Sequence, residues 1–426
     1  MSTIESTRRH EARLADIDLS NLDSFLDGPP WDDFDYLRRN AAVHWNPEPA
    51  PNHGFWSLTR HADVLAVDRD DKRFSSERGA VSLEELDEEQ LELRKSMIDT
   101  DGLRHAALRR LLQRDFTPRS LAGYESFLRG LTATTLDTAL VKPEFDFVTE
   151  ISADFPIRVL ARLLGVPDDD ADTLIAWGNK MFGNTDPDYT DVLADSPESE
   201  KYRNLPFRSP AALEAYEYGR RLARERRGGD GTDLVSKLVN ETPNDGVPLS
   251  DRDYDNYFLL LMVAGNETTR HAISHSMLAL TTYKDQLHLL KERPELIGAA
   301  VEEFLRWATP IYAFRRTAMG DLELRGQKIR DGDKVVMWFA AANRDGDVFE
   351  DPYSFLVTRS PNDHVTFGKG GPHFCLGAWL ARLELRVMFE ELLARIDDIE
   401  LAGPVRRVRS NFINGIKSMP VRISLA

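Results

Sequence analysis

The chain has 426 residues, of which 42% are hydrophobic, a formal net charge of −17 and one cysteine. Its length and apolar content suffice for a large buried core, and its acidity argues against a duplex-DNA binder, which would need a basic face. A lone cysteine excludes an intrachain disulfide and any cysteine-rich zinc site, and it fits a reducing cytoplasm.

Residues 1–13 are polar and charged with no apolar core, so no secretory signal or membrane anchor is expected there, and residues 1–15 read as a flexible extension. Residues 54–58 predict a strand. Residues 184–209 are polar and carry Pro187, Pro197 and Pro206, the pattern of a long surface segment. Residues 228–231 and 240–251 read as shorter loops. Residues 257–279 predict a long, mostly apolar helix that runs through the core rather than over it. The longest apolar run, 257–264, is too short to span a bilayer. Residues 334–340 predict a second strand, rich in valine and aromatics. Leu376, Leu380, Leu383 and Val387 share one helical face, and Arg382, Arg386 and Glu390 take the other. No repeat or linker interrupts the chain. A single domain over residues 1–426, mainly α with minor β, is expected.

Three constellations carry chemistry. In Phe367-Gly368-Lys369-Gly370-Gly371-Pro372-His373-Phe374-Cys375-Leu376-Gly377, a glycine-rich loop delivers the cysteine to the first turn of an amphipathic helix. A helix N-terminus stabilises an anion and lowers a thiol's pKa. Glycines let the backbone pass close to a flat cofactor. By itself the loop also reads as a turn before a buried, inert cysteine.

Ala264-Gly265-Asn266-Glu267-Thr268-Thr269 falls in the middle of the long helix, where glycine and paired threonines are poor choices. A threonine hydroxyl can bond back to a carbonyl and bend the helix, opening a groove for dioxygen and water. An acid beside that hydroxyl can pass protons inward; an ordinary buried pair is the plainer alternative. His271 and His275 have a spacing that could bind metal, but no third ligand is nearby, and they are read as structural. Glu303 and Arg306 face one another on a helix limited by Pro310.

In these motifs the chain resembles the cytochrome P-450 family over nearly its whole length. The resemblance implies a helical body with small sheets and a haem between the long central helix and the cysteine-bearing helix. Cys375 would ligate the iron of haem b, and a thiolate ligand favours O–O cleavage. Glu267 and Thr268 would take the acid–alcohol positions that hand protons to dioxygen. Glu303, Arg306 and Arg359, the last following Pro352-Tyr353-Ser354-Phe355, would form a buried ion network. His105, Arg109, Arg316 and His373 match propionate-binding positions, with Arg315 leaving the register open by one. Phe367 and Gly371 belong to the cofactor loop. Phe367 lies one residue further from the cysteine than the common bacterial form places it, which unsettles its role.

The same resemblance implies insertion of one oxygen atom from O2 into a C–H bond of a hydrophobic substrate. Met262, Val263, Ala264, Ile311, Phe314, Phe412 and Ile413 would line the pocket, with residues 184–209 as the lid. No flavin or nicotinamide domain is visible, so a ferredoxin and a ferredoxin reductase would bring electrons from NAD(P)H. Arg104, Arg109, Arg110, Arg114, Lys369, Arg382 and Arg386 could steer that donor or form a solvated face. Residues 264–270, Arg306-Trp307-Ala308-Thr309-Pro310, the lengthened cysteine loop and Asn414-Gly415-Ile416-Lys417 resemble the actinobacterial subgroup that oxidises sterol side chains and methyl-branched lipids. A steroid, terpenoid or branched lipid is therefore the expected substrate, with a monoterpene or alkyl chain as the alternative. A haem-thiolate isomerase would not need the acid–alcohol pair, and a non-catalytic haem binder would not need a lid.

Overall fold

The computed structural model describes residues 11–50 and 52–426. Its axis is the helix Asp251–Thr282, whose start is fixed by a reciprocal capping box between Ser250 and Asp253. The helix begins six residues before the apolar run that announced it. Its first turns bury polar groups: Asp255 pairs with Arg220 and Asn256 bonds Tyr216, Leu93 and Lys95. Around it pack the helices Asp154–Leu164, Ala171–Phe182, Ala211–Arg226, Ile297–Ala308 and Ala378–Leu393. Together they enclose one large apolar core.

A five-stranded sheet lies to one side, in the order Val43–Asn46, Phe55–Leu58, Lys334–Trp338, Ala313–Ala318, Phe74–Ser75. Only Phe55–Leu58 and Lys334–Trp338 run parallel, with Trp56 opposite Val335. The sheet buries two smaller apolar clusters, one centred on Trp338 and Phe34, the other on Leu58 and Met337. The strand expected over 334–340 stops at Trp338, and Phe339–Ala342 turns into a short helix. Three consecutive alanines favour that turn over a strand.

Of the expected flexible extension, residues 1–10 lie outside the described residues. Residues 11–15 are helical: Arg13 pairs with Asp33 and Leu14 packs on the Trp338 cluster. Residues 184–209 carry only the 3₁₀ turns Pro197–Tyr202 and Pro206–Arg208, as the proline-rich polar composition predicts.

Candidate active site

Cys375 ends the glycine-rich loop two residues before Gly377 caps the helix Ala378–Leu393. It is therefore not in the first helical turn, as expected from sequence, because Gly377 at φ −82° and ψ 5° is not yet helical. The Cys375 N–H instead donates to the Phe367 carbonyl at 2.9 Å. The sulfur is accessible, yet it lies deep enough that burial pushes the thiol up, against the pull of the Gly377 N–H and of Arg109 and Arg382. Phe367 also packs under the Arg382 guanidinium at 4.7 Å. A side chain at Gly371 would meet the Asp68 carbonyl at 2.1 Å. The glycine is needed there for a backbone crossing within the protein.

Four basic side chains gather near this loop. The His105 and His373 rings lie 4.1 Å apart. His373 Nε2 is 3.1 Å from Ser76 Oγ and 3.8 Å from Asp101. Arg316 approaches Asp68 at 3.6 Å. Burial, His373 and Arg109 push His105 down to about 4. Arg109 acts electrostatically on the Cys375 sulfur and has no salt-bridge partner among the described residues. The register left open between Arg315 and Arg316 resolves: Arg315 turns to Glu84 O and Glu85, and Arg316 joins the basic group. An accessible thiol beside two arginines and two imidazoles is the donor set that an iron porphyrin with two carboxylates fits. Cys375 would hold the iron, and His105, Arg109, Arg316 and His373 would hold the propionates.

On the central helix, Ala264 is exposed and Thr268 half-buried, although the positions around them are buried. Thr268 Oγ1 donates back to Ala264 O at 2.8 Å, the bond expected for a threonine in mid-helix. Glu267 points into the protein and is 2% exposed. Asn266 Nδ2 donates to it at 3.0 Å, Arg270 Nη1 lies 3.5 Å away and His271 Nε2 3.4 Å away. Burial raises the Glu267 carboxyl, but Arg270 and His271 outweigh it and hold it below the usual range. His271 Nδ1 accepts from Ile416 N at 3.3 Å, which puts the imidazole proton on the Nε2 that faces Glu267. His275 Nε2 contacts Asn414 O at 2.9 Å. Both histidines are buried with partners of their own, and no group of three or more His, Cys, Asp or Glu placed to hold a metal ion occurs among the described residues.

Glu303 and Arg306 are 0% exposed. Arg306 uses all five donors: Nε and Nη2 reach Glu303 at 2.8 and 2.7 Å, and the rest reach Asn343 O, Pro352 O and Ser354 O at 2.9–3.0 Å. Glu303 also accepts from Leu356 N at 2.9 Å, Asn362 at 3.0 Å and Arg359 at 3.2 Å.

Among the expected lining residues, Ile311 bridges Ile413, and the Phe314 and Phe412 rings lie 5.8 Å apart. The stack continues from Phe412 to Phe182 at 5.9 Å, and from Phe182 to Phe207 of the irregular segment 184–209 at 5.3 Å. Met262 and Val263 are packed into the core, leaving Ala264 as the accessible member of its trio. Sequence reasoning missed Phe182, Phe207 and the lid's anchor. Asp186, fully buried, takes Lys417 Nζ at 2.7 Å and the N–H groups of Asp188 and Arg409 at 2.9 Å.

The cytochrome P450 family matches residues 58–397. A steroid C26-monooxygenase of Mycolicibacterium smegmatis is 38% identical over 419 residues, covering 96% of this chain and 93% of the relative.

The chain belongs to the cytochrome P450 family. It is similar, at 38% identity over 429 residues, to a methyl-branched lipid omega-hydroxylase of Mycobacterium tuberculosis, with 98% of this chain and 97% of that one covered. A Mycobacterium marinum cytochrome P450 solved in complex with pseudoionone superposes with a TM-score of 0.84 at 39% identity, over 92% of this chain and 94% of that one. A Bacillus megaterium enzyme solved with testosterone gives 0.80 at 29% identity, over 92% and 97%. As a cytochrome P450, the chain is a monooxygenase, and its family implies haem iron, O2, redox partners and a hydrophobic substrate. The mainly α fold with small sheets is that of the family. No helix among the described residues is long and apolar enough to cross a membrane.

Proposed function

We propose that this P450, one domain acting in the cytoplasm, hydroxylates the end of a branched apolar chain carried by a steroid or a methyl-branched lipid. The observation behind this reading is that two relatives at 38% identity are named for oxidation at a chain end, C26 in one and the omega carbon in the other. The second reading, a terpenoid substrate, is favoured by the structure solved with pseudoionone. The apolar stack Phe314–Phe412–Phe182–Phe207 suits a long apolar guest in either case.

Haem b, when bound, supplies oxygen activation and removal of the substrate hydrogen. The chain's own residues do the rest. Cys375 ligates and tunes the iron, and the four basic side chains hold the propionates. Ala264 and the aromatic stack orient the substrate. Thr268, with Glu267 behind it, moves protons. A ferredoxin, reduced by its reductase, delivers electrons. Of the cations expected on the donor face, Arg104 is paired with Asp245, Lys369 with Asp363, Arg382 with Glu302 and Arg386 with Glu125. Arg110 and Arg114 are exposed without an ion-pair partner among the described residues, so they carry the docking.

Titration of cholesterol, phytanic acid, pseudoionone and hexadecane against the ferric Soret band tests the substrate reading. A high-spin shift with the sterol or the branched acid is expected. A shift with pseudoionone alone would favour the terpenoid reading, and a shift with hexadecane alone would contradict both.

A further inference from the structure

Glu267 is tied to the lid. Its nearest cation, Arg270, is 3% exposed and donates through Nη2 to the hydroxyl of Tyr189 at 3.1 Å. Tyr189 belongs to residues 184–209, the irregular segment read as the lid, whose Phe207 packs on Phe182 of the apolar stack. Burial pushes the Tyr189 phenol up, so the oxygen accepts from Arg270 while keeping its own proton. Arg270 Nη1 completes the link to Asn179 at 2.6 Å on the helix Ala171–Phe182.

That helix makes room for the arrangement. A side chain at Gly178 would press on Glu267 Oε1 at 2.9 Å, and one at Gly183 would run into the Tyr189 ring at 2.3 Å. Three residues before Tyr189, Asp186 pins the lid to Lys417 and to the Arg409 backbone. Thr185 adds two further bonds to Arg409, at 2.6 and 3.0 Å. The position of Tyr189 is therefore set by whether the lid is docked.

The network is also incomplete in a directed way. Asn266 Oδ1 and Arg270 Nε are buried with no hydrogen-bond partner. Both flank Glu267, so the carboxylate's surroundings have capacity for a water molecule.

We propose that Tyr189 is a positioning residue: by fixing Arg270 it sets the Glu267 carboxylate, so that proton delivery is complete only when the lid is docked. The inference rests on the reading of Glu267 and Thr268 as proton carriers. It assigns the lid a second task besides covering substrate, namely withholding protons until the substrate is enclosed. With the lid open, dioxygen reduced by two electrons from the redox partners would take its two protons from bulk solvent and leave as hydrogen peroxide, instead of receiving them through Glu267 and Thr268, losing one oxygen as water and placing the other in a C–H bond.

The test compares Tyr189→Phe, Asp186→Asn and Thr268→Ala in the haem-loaded enzyme, with cholesterol or, if cholesterol does not bind, phytanic acid. Peroxide released per NADH and the spectroscopic Kd are measured, together with deuterium exchange of residues 184–196. Tyr189→Phe keeps the ring against Gly183 and removes only the hydroxyl. It is expected to raise peroxide release about fivefold, the scale of one hydrogen bond, with Kd unchanged and with faster exchange across the lid. Asp186→Asn should raise peroxide release and exchange in the same direction by undocking the segment, with a weaker Kd because Phe207 leaves the apolar stack. If Thr268→Ala releases excess peroxide and Tyr189→Phe does not, the tie from lid to acid is wrong. If Thr268→Ala leaves peroxide at the wild-type level, the proton-carrier reading itself fails and the inference falls with it. Unchanged exchange in Tyr189→Phe would show that the hydroxyl does not hold the lid to the helix.

Discussion

Two buried glutamates, Glu303 and Glu267, sit in networks of opposite character. Glu303 is saturated: two arginines, an asparagine and a backbone N–H reach it at 2.7–3.3 Å, and its principal partner Arg306 spends every donor. Glu267 is held more loosely, by Asn266 Nδ2 at 3.0 Å, the Arg270 guanidinium at 3.5 Å and the neutral imidazole of His271 at 3.4 Å. A buried charge with every partner present is costly to disturb and fixes geometry. One with slack can exchange a proton without dismantling its surroundings. We read the first network as seating the fold and the second as serving proton transfer.

Breaking the saturated network has the largest expected effect. Glu303→Ala leaves Arg306 and Arg359 buried without a counter-charge, a loss of about 3–5 kcal/mol. It should abolish recovery of haem-loaded protein, as measured by haem per chain; a fully loaded mutant would contradict the structural role. Glu267→Gln should fold and bind substrate but lose product formation by about 10²-fold, the lower range for a general acid–base group, as measured by turnover with the Soret shift retained. Because the Glu267 carboxyl is held below its ordinary value, its contribution to stability is present above 4.5 and is lost as pH falls through its folded pKa.

A third buried carboxyl sharpens the contrast. Glu384, on the helix Ala378–Leu393 that follows the cysteine loop, has Thr269 as its one partner among the described residues, and burial pushes it up to about 8. The native state therefore holds a proton that the unfolded chain gives up above the ordinary value of 4.5. Stability should fall as pH rises from 4.5 to about 8, and Glu384→Gln should flatten that fall in a melting-temperature series. The smallest effect belongs to the surface. Arg110→Glu with Arg114→Glu should slow reduction by a ferredoxin several-fold at low salt and flatten its salt dependence, whereas Arg104→Gln, already ion-paired, should change neither.

What could be read from the sequence was local. Cys375 in its glycine loop, Glu267 with Thr268, and Glu303 with Arg306 each lie within a dozen residues of their motif partners, so spacing carries them. The long helix and two strands were legible from apolar periodicity, but the helix start was hidden because Asp255 and Asn256 are buried polar residues with partners elsewhere. What spacing cannot show is pairing across the chain. Lys417 meets Asp186 and Arg270 meets Tyr189 over separations of 231 and 81 residues. Arg382 and Arg386 looked like free surface charge, yet Glu302 and Glu125 neutralise them. Asn414-Gly415-Ile416-Lys417 was legible only as a family feature. In the structure it braces His275, His271 and the lid together.

The most direct measurement uses isotopically heavy dioxygen with the reconstituted enzyme and the ligand that shifts the Soret band. Mass spectrometry of the product should show one heavy oxygen atom, carried as a hydroxyl at the chain end. A product that has taken its oxygen from water, or that is rearranged with no oxygen gained, would contradict the assignment of Cys375, Glu267 and Thr268 to oxygen insertion.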